Sequence, residues 1–417
     1  MNPNLKLLGV SLAASMMLAG LAGCELPGAV GGKDGQQTDG HPHDQTAKNV
    51  HEGTISKDET WKKADGPHII RGEVLVESDQ GVTLTIEAGT EVRFEKGASL
   101  YIGYGGLGYL KAQGTVDKPI LFTSASANPS KGDWMTIYLG NGAANSVMVH
   151  CKIAYGGTDS YGALTVSGAN NTPTFTNCTI EQSAGYGIDL QDSAAFKVFT
   201  GNTIKTSGSN PIRMGANEVG SLGTGNTFVE NTHQAIAVQG EYITKSATWL
   251  NHGIPYRIQG ETVIESESAV PVLTIAAGNT LEFGSGANLY VGHGHAGALY
   301  AVGTSENPIM FTGVSKSAGS WSGLNINQYA VDGIDNDEST TVIQHATIEY
   351  GETSNGSLLY IDNSKPLLKN VTFQFAGGKD AIYVDGTPSG VPEMNALVLN
   401  NTFGEGVSDL MVNYNAF

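Results

Sequence analysis

Charge is scarce in this chain. Only 15% of its 417 residues are Asp, Glu, Lys or Arg, and 22 basic side chains face 40 acidic ones, a formal net charge of −18. So few Lys and Arg exclude nucleic acid as a partner, because a phosphate backbone needs clustered cations. The same acidity repels an acidic polysaccharide unless a cation intervenes. Between Cys151 and Phe228 helical periodicity is missing, and so is the Leu-x-x-Leu-x-Leu spacing of a leucine-rich repeat. Glycine, by contrast, is abundant at 56 residues.

What that stretch contains is one short pattern four times over. It reads Cys151-Lys152-Ile153, Cys178-Thr179-Ile180, Asn202-Thr203-Ile204 and Asn226-Thr227-Phe228, with intervals of 27, 24 and 24 residues. An alternating segment follows each return: Leu164-Thr165-Val166, Ile188-Asp189-Leu190, Ile212-Arg213-Met214 and Ile236-Ala237-Val238. Short strands at such intervals, separated by Gly, Asn and Ser, are the signature of stacked coils. The sequence here resembles the right-handed parallel β-helix proteins of the pectate-lyase-like superfold. The resemblance implies an all-β solenoid of three short parallel sheets around a narrow, filled core. In it Ile153, Ile180, Ile204 and Phe228 stack as one column, and Leu164, Ile188, Ile212 and Ile236 as another. Asn202 and Asn226 share a column at a bend, where stacked amides bond to one another and to backbone.

A longer repeat overlies the coils. Trp61 to Ser78 answers Trp249 to Ser266, Leu100-Tyr101-Ile102-Gly103 answers Leu289-Tyr290-Val291-Gly292, and Pro119-Ile120-Leu121-Phe122-Thr123 answers Pro308-Ile309-Met310-Phe311-Thr312. The chain reads as internally duplicated, with two tandem units at 59–245 and 246–417. One continuous rod and two angled ones both remain open, and Glu241-Tyr242-Ile243-Thr244 either caps the first unit or continues it.

Residues 1–23 read as an export signal: Lys6, then an apolar run closed by Leu21-Ala22-Gly23-Cys24. The tetrad resembles a bacterial lipobox, which implies cleavage before Cys24 and acylation of it by chains such as palmitate. That anchors the protein to a membrane, and Glu25 in place of Asp implies the outer membrane or cell surface. Residues 24–58, rich in Gly, Pro, Asp and His, read as a flexible tether. His41, His43 and His51 are its solvated residues rather than a metal site.

The chemistry-bearing residues fall at definite places on this scaffold. Cys151 and Cys178, one coil apart, are within reach of a disulfide or form a ladder of reduced thiols. Asp189 and Arg213 are an outward pair on adjacent coils. In polysaccharide lyases of this fold an Arg or Lys base and Ca²⁺-binding Asp residues decorate one face, so the resemblance makes the pair the catalytic candidate; a surface salt bridge is the simpler account. Glycoside hydrolases of this fold use paired or tripled Asp on neighbouring coils, and the sequence lacks an Asp-Asp strand answered by another Asp. Asp332, Asp335, Asp337 and Glu338 crowd one loop and supply the oxygens a Ca²⁺ ion prefers; a solvated insertion is the alternative, and no cofactor is required. The glycine-rich stretches at 103–108 and 292–297 read as tight corners, not phosphate cradles. Trp134 and Trp321, at matching points of the two halves, and the neighbouring Tyr360 and Tyr383 are candidates for stacking on a ligand, or else for packing. The expectation is a lipid-anchored, non-catalytic rod presenting a side face to a polysaccharide or surface protein. A polysaccharide lyase or hydrolase, and a purely structural or adhesive element, are the alternatives.

Overall fold

The computed structural model describes residues 49–386, 398–408 and 411–413. The expected signal at 1–23, the lipidation residue Cys24 and most of the 24–58 tether lie outside them. The described residues form one compact unit.

Every pairing between its named strands is parallel, each strand bonding to the one a coil earlier and a coil later, and the strands gather into three sheets. The core columns stand as the repeat predicts. Phe122 pairs with Ile153, Ile153 with Ile180, Ile180 with Ile204 and Ile204 with Phe228. Leu164, Ile188 and Ile212 form the second column. All of these are buried, as stacked coils around a shared interior require.

Two corners show why the residues fall where they do. At the bend column the Asn226 side-chain carbonyl accepts the Asn202 amide at 3.0 Å, and that of Asn202 accepts the Cys178 amide at 2.9 Å. The series continues with Cys178 Sγ accepting the Cys151 amide at 3.3 Å. Cys151 Sγ in turn donates to the Ala112 carbonyl at 3.3 Å. Both thiols are free and buried, and burial pushes the Cys151 thiol well above its ordinary range. Of the two readings of this pair, the structure contains the reduced ladder.

At the other corner, the glycine-rich stretches wrap a carboxylate. Glu77 Oε2 accepts the Gly105 and Gly106 amides at 2.6 and 3.2 Å, and Glu265 Oε2 accepts those of Gly294 and His295 at 2.6 and 3.3 Å. A side chain at Gly108 would place its Cβ 1.8 Å from the Val76 carbonyl oxygen, and at Gly297 2.0 Å from that of Ile264. The amide nest that could hold an anion already holds the protein's own.

One boundary needs correction, and one open alternative is resolved. Val50–Ile55, inside the range assigned to the tether, is a strand paired with His68–Val76. Its Val-His-Glu-Gly-Thr-Ile sequence is too polar to read as one; as the first row of the stack it has a neighbour on one side only, and such edges are commonly polar. The stretch at 241–244 continues the stack, since Tyr242 and Ile243 pair with Val263 and Ile264. Pairing therefore runs unbroken through the junction, Ile236 with Tyr256 and Ala237 with Arg257.

That junction also shifts the two halves relative to each other. Arg257 is the sequence counterpart of Ile69, which pairs with Arg93 on one face of the first half. Ala237 belongs to the next face, the one carrying Tyr101 and Tyr138. Corresponding faces of the halves are thus offset by one side of the three-sided rod.

Candidate functional site

One outward file of residues carries the catalytic candidates Asp189 and Arg213. Successive strands bring together Leu75, Tyr101, Tyr138, Thr165, Asp189, Arg213 and Ala237. The odd spacing of loops between strands is invisible in this file: each residue sits one coil above the last.

Asp189 and Arg213 do meet, but not as a surface pair. Arg213 Nε donates to Asp189 Oδ1 at 2.7 Å and its Nη2 to Oδ2 at 2.6 Å, while Gln191 Nε2 donates to Oδ2 at 2.6 Å. The Asp189 side chain has no exposed surface and that of Arg213 keeps 27%. Tyr186 closes over the guanidinium, 4.5 Å from ring centroid to Cζ. The bonds to Asp189 raise the Arg213 pKa above its ordinary value. An arginine held charged by a bidentate carboxylate is a poor proton acceptor, and the carboxylate has no room for a substrate. Asp189 holds the outward register expected of it, but its strand neighbours Arg213 and Gln191 occupy its carboxylate and leave it no exposed surface.

For Trp134 and Trp321 the structure shows the packing alternative: both are buried. Trp134 stacks on Phe94 at 4.1 Å and donates Nε1–H to the Ala154 carbonyl at 2.9 Å; Trp321 stacks on Phe283 at 4.2 Å and donates to the Glu349 carbonyl at 2.9 Å. Their matching positions mark matching core packing. Tyr360 and Tyr383 do lie outward, half-buried, with ring centroids 6.0 Å apart. Tyr360 donates its hydroxyl to Asp385 at 3.3 Å, and burial, reinforced by Asp362 and Asp385, pushes its pKa up to about 12.

The carboxylates of the 332–338 loop are spread among separate tasks. Asp332 accepts the Lys365 amide at 2.9 Å, Asp335 pairs with Lys369 at 3.1 Å, and Asp337 accepts the Ser339 hydroxyl at 2.6 Å. Among the described residues no three His, Cys, Asp or Glu side chains gather as a metal ligand set.

The arrangement that sequence reasoning missed is a tyrosine cleft at the start of the file. Tyr101 lies in strand Ser99–Ile102 and Tyr138 in Thr136–Leu139, directly above one another. Tyr104 reaches in from the glycine-rich corner, and Tyr161 from the loop before Leu164–Ser167. With Glu73, Leu75 and Gln191 they line a cleft of ≈ 210 Å³. Tyr101, Tyr138 and Tyr161 are half-buried, while Tyr104 is 62% exposed and forms the outer wall. Burial raises the Tyr101 and Tyr138 pKa values; Glu73 adds to the first and Asp192 to the second. Tyr101 and Tyr138 therefore stay neutral rings with a hydroxyl at neutral pH. The available signal was a tyrosine flanked by core residues in both Leu100-Tyr101-Ile102 and Ile137-Tyr138-Leu139.

A family model of the pectate-lyase-like β-helix domain matches residues 53–172 and 240–382. A second, of the right-handed β-helix region, matches residues 162–266. No curated protein matches the chain, and no solved structure does.

Proposed function

The chain belongs to the pectate-lyase-like β-helix family, and from that premise we propose that it is a lipid-anchored, non-catalytic rod that binds a glycan through the tyrosine cleft of its first half. The observation that carries the reading is the gathering of Tyr101, Tyr104, Tyr138 and Tyr161 around one cleft on the side of the solenoid. Aromatic faces with polar tips suit a carbohydrate or a similarly amphipathic ligand. Against a lyase or hydrolase at Asp189 and Arg213 stands the closed bidentate pair, which would have to open before either group could touch substrate. The matching halves are read as a duplication, of which one copy acquired the cleft.

The test is a glycan array read for both retention and product release. Retention of a defined set of glycans, lost in Tyr138→Ala and intact in Arg213→Ala, is the expected result. Release of unsaturated or shortened oligosaccharides, abolished by Arg213→Ala, would overturn it in favour of an enzyme. For the anchor, Cys24→Ser should move the protein from the membrane fraction to the soluble one and abolish labelling by a palmitate analogue.

A further inference from the structure

The rings of the cleft do not lie flat against one another. Tyr101, Tyr104 and Tyr138 form a near-equilateral triangle of centroids, 5.4, 5.5 and 5.6 Å apart, with ring planes inclined at 50° to 69°. Tyr161 stands 6.3 Å from Tyr138 at 80°. The inclined rings pack on one another, Tyr104 edge to face with both Tyr101 and Tyr138, and all four border one cleft, so they form a walled recess and not the single flat platform that suits a sugar ring. The face of each ring carries the negative side of its quadrupole, so a volume enclosed by several rings favours a cation.

The charges nearby agree. Glu73 is the one ionisable group with a formal charge among the lining residues, and Lys and Arg are absent from them. Asp192, whose Oδ2 accepts the Ser167 hydroxyl at 2.6 Å, adds a second negative charge near Tyr138. The size agrees as well: ≈ 210 Å³ lies below the usual span of pockets for whole drug-sized ligands and suits a headgroup.

Resting on the binding role proposed above, we infer that the cleft reads an organic ammonium group, enclosed by the four tyrosine rings and neutralised by Glu73. Such a group comes from the free amine of an amino-sugar polymer or from a choline-type substituent, and the chemistry shared by the two is a compact cation with apolar flanks.

The experiment is calorimetric titration of the full chain with four probes: choline, its uncharged isostere with carbon in place of nitrogen, a glucosamine oligomer, and the N-acetylated form of that oligomer. The expected result is saturable binding of choline or of the glucosamine oligomer, whichever source is in use, with its neutral counterpart at least about tenfold weaker. Tyr138→Leu should weaken the bound cation about tenfold and Glu73→Gln several-fold, with melting temperatures confirming that both variants fold. Equal binding of choline and its isostere, or cation binding untouched by Tyr138→Leu, would overturn the inference. Binding of the N-acetylated oligomer alone would overturn it while leaving the glycan-binding role standing. If no probe binds and a glycan array is also blank, both fall together.

Discussion

On the first half of the rod, the outward file runs Leu75, Tyr101, Tyr138, Thr165, Asp189. On the second half, the corresponding file runs Val263, Tyr290, Asn325, Tyr360, Tyr383. Beneath both, the core is almost interchangeable: Phe94 under Trp134 at 4.1 Å answers Phe283 under Trp321 at 4.2 Å, and Glu77 in its glycine corner answers Glu265. Interior positions are tied to both coil neighbours and to the opposite sheets, so a change there disturbs everything it touches. Outward positions are tied to little, and it is there that the halves part. In the second half Tyr290 meets His293 at 5.1 Å, Asn325 interrupts the rings, and Gly356 stands where Tyr161 would be. What remains is the Tyr360 and Tyr383 ladder, tilted at 35°.

The strongest way to break this comparison is through the core. Trp134→Ala and Trp321→Ala should each cost about 3–5 kcal/mol, measured by denaturant unfolding. Near-equal losses would support equivalent packing. A loss confined to one of them would show that the halves differ inside as well as outside. In a stack whose coils touch only their neighbours, each variant should destabilise mainly its own half, which proteolysis of the partly unfolded chain can locate.

A step down in magnitude are the two Arg–carboxylate pairs that follow one another along the shared file. Asp189 has no exposed surface, whereas in the next pair, Arg257 Nη2 to Glu282 Oε2 at 2.8 Å, the side chains keep 25% and 18%. Asp189→Asn should therefore cost about 1–3 kcal/mol, because a half-covered guanidinium loses its counter-charge. Glu282→Gln, in contact with more solvent, should cost no more than about 1 kcal/mol. Equal costs would mean that coverage by Tyr186 and Gln191 does not strengthen the first pair.

These examples also mark how far the sequence could be read. The columns Ile153 to Phe228 and Leu164 to Ile212 were legible because a repeat of near-constant length converts interval into stacking. The Asn202–Asn226 ladder was legible for the same reason, and the Cys151–Cys178 rung was visible but ambiguous, since a thiol and half a disulfide occupy one position. Burial of Asp189, Trp134 and Trp321 was not legible. For Asp189 it depends on how its strand neighbours Arg213 and Gln191 turn their side chains onto it, and for the two Trp residues on how a corner folds, neither of which an interval between repeats encodes. The tyrosine cleft was missed for that reason: two of its rings lie on strands separated by unequal intervals, and two arrive from loops.

Smaller in effect is an attempt to make the second half imitate the first. Asn325→Tyr restores an in-line ring between Tyr290 and Tyr360 but supplies neither of the loop rings. It should leave the second half with less than about a tenth of the affinity of the first for the ligand of the cleft, measured in a Tyr138→Leu background. Full affinity from this one change would show that the strand file alone makes the site, and that Tyr104 and Tyr161 are bystanders.

The smallest expected effect sets the start of the rod against its junction through pH. His51 stacks on Trp61 at 4.1 Å and shares a hydrogen bond with His68 at 3.0 Å; burial lowers its pKa to about 4, against the pull of Glu59. Its neutral form belongs to the folded state, so its contribution is complete above the ordinary value of about 6.5 and is lost as pH falls toward 4. At the junction Glu241 behaves oppositely. Burial raises it to about 7, the Asn217 amide opposing, neighbouring Glu218 reinforcing and Lys245 opposing. Here the protonated form belongs to the folded state, so stability is complete below the ordinary carboxyl value and is lost as pH rises toward 7. Thermal melts from pH 4 to 8 should show that Glu241→Gln gains about 1–2 °C at the alkaline end with the acid limb unchanged. His51→Phe, which keeps the stack on Trp61, should flatten the acid limb and leave the alkaline one. If Glu241→Gln flattens both limbs instead, the first coils and the junction melt as one unit, and the rod is more cooperative than neighbour contacts between coils require.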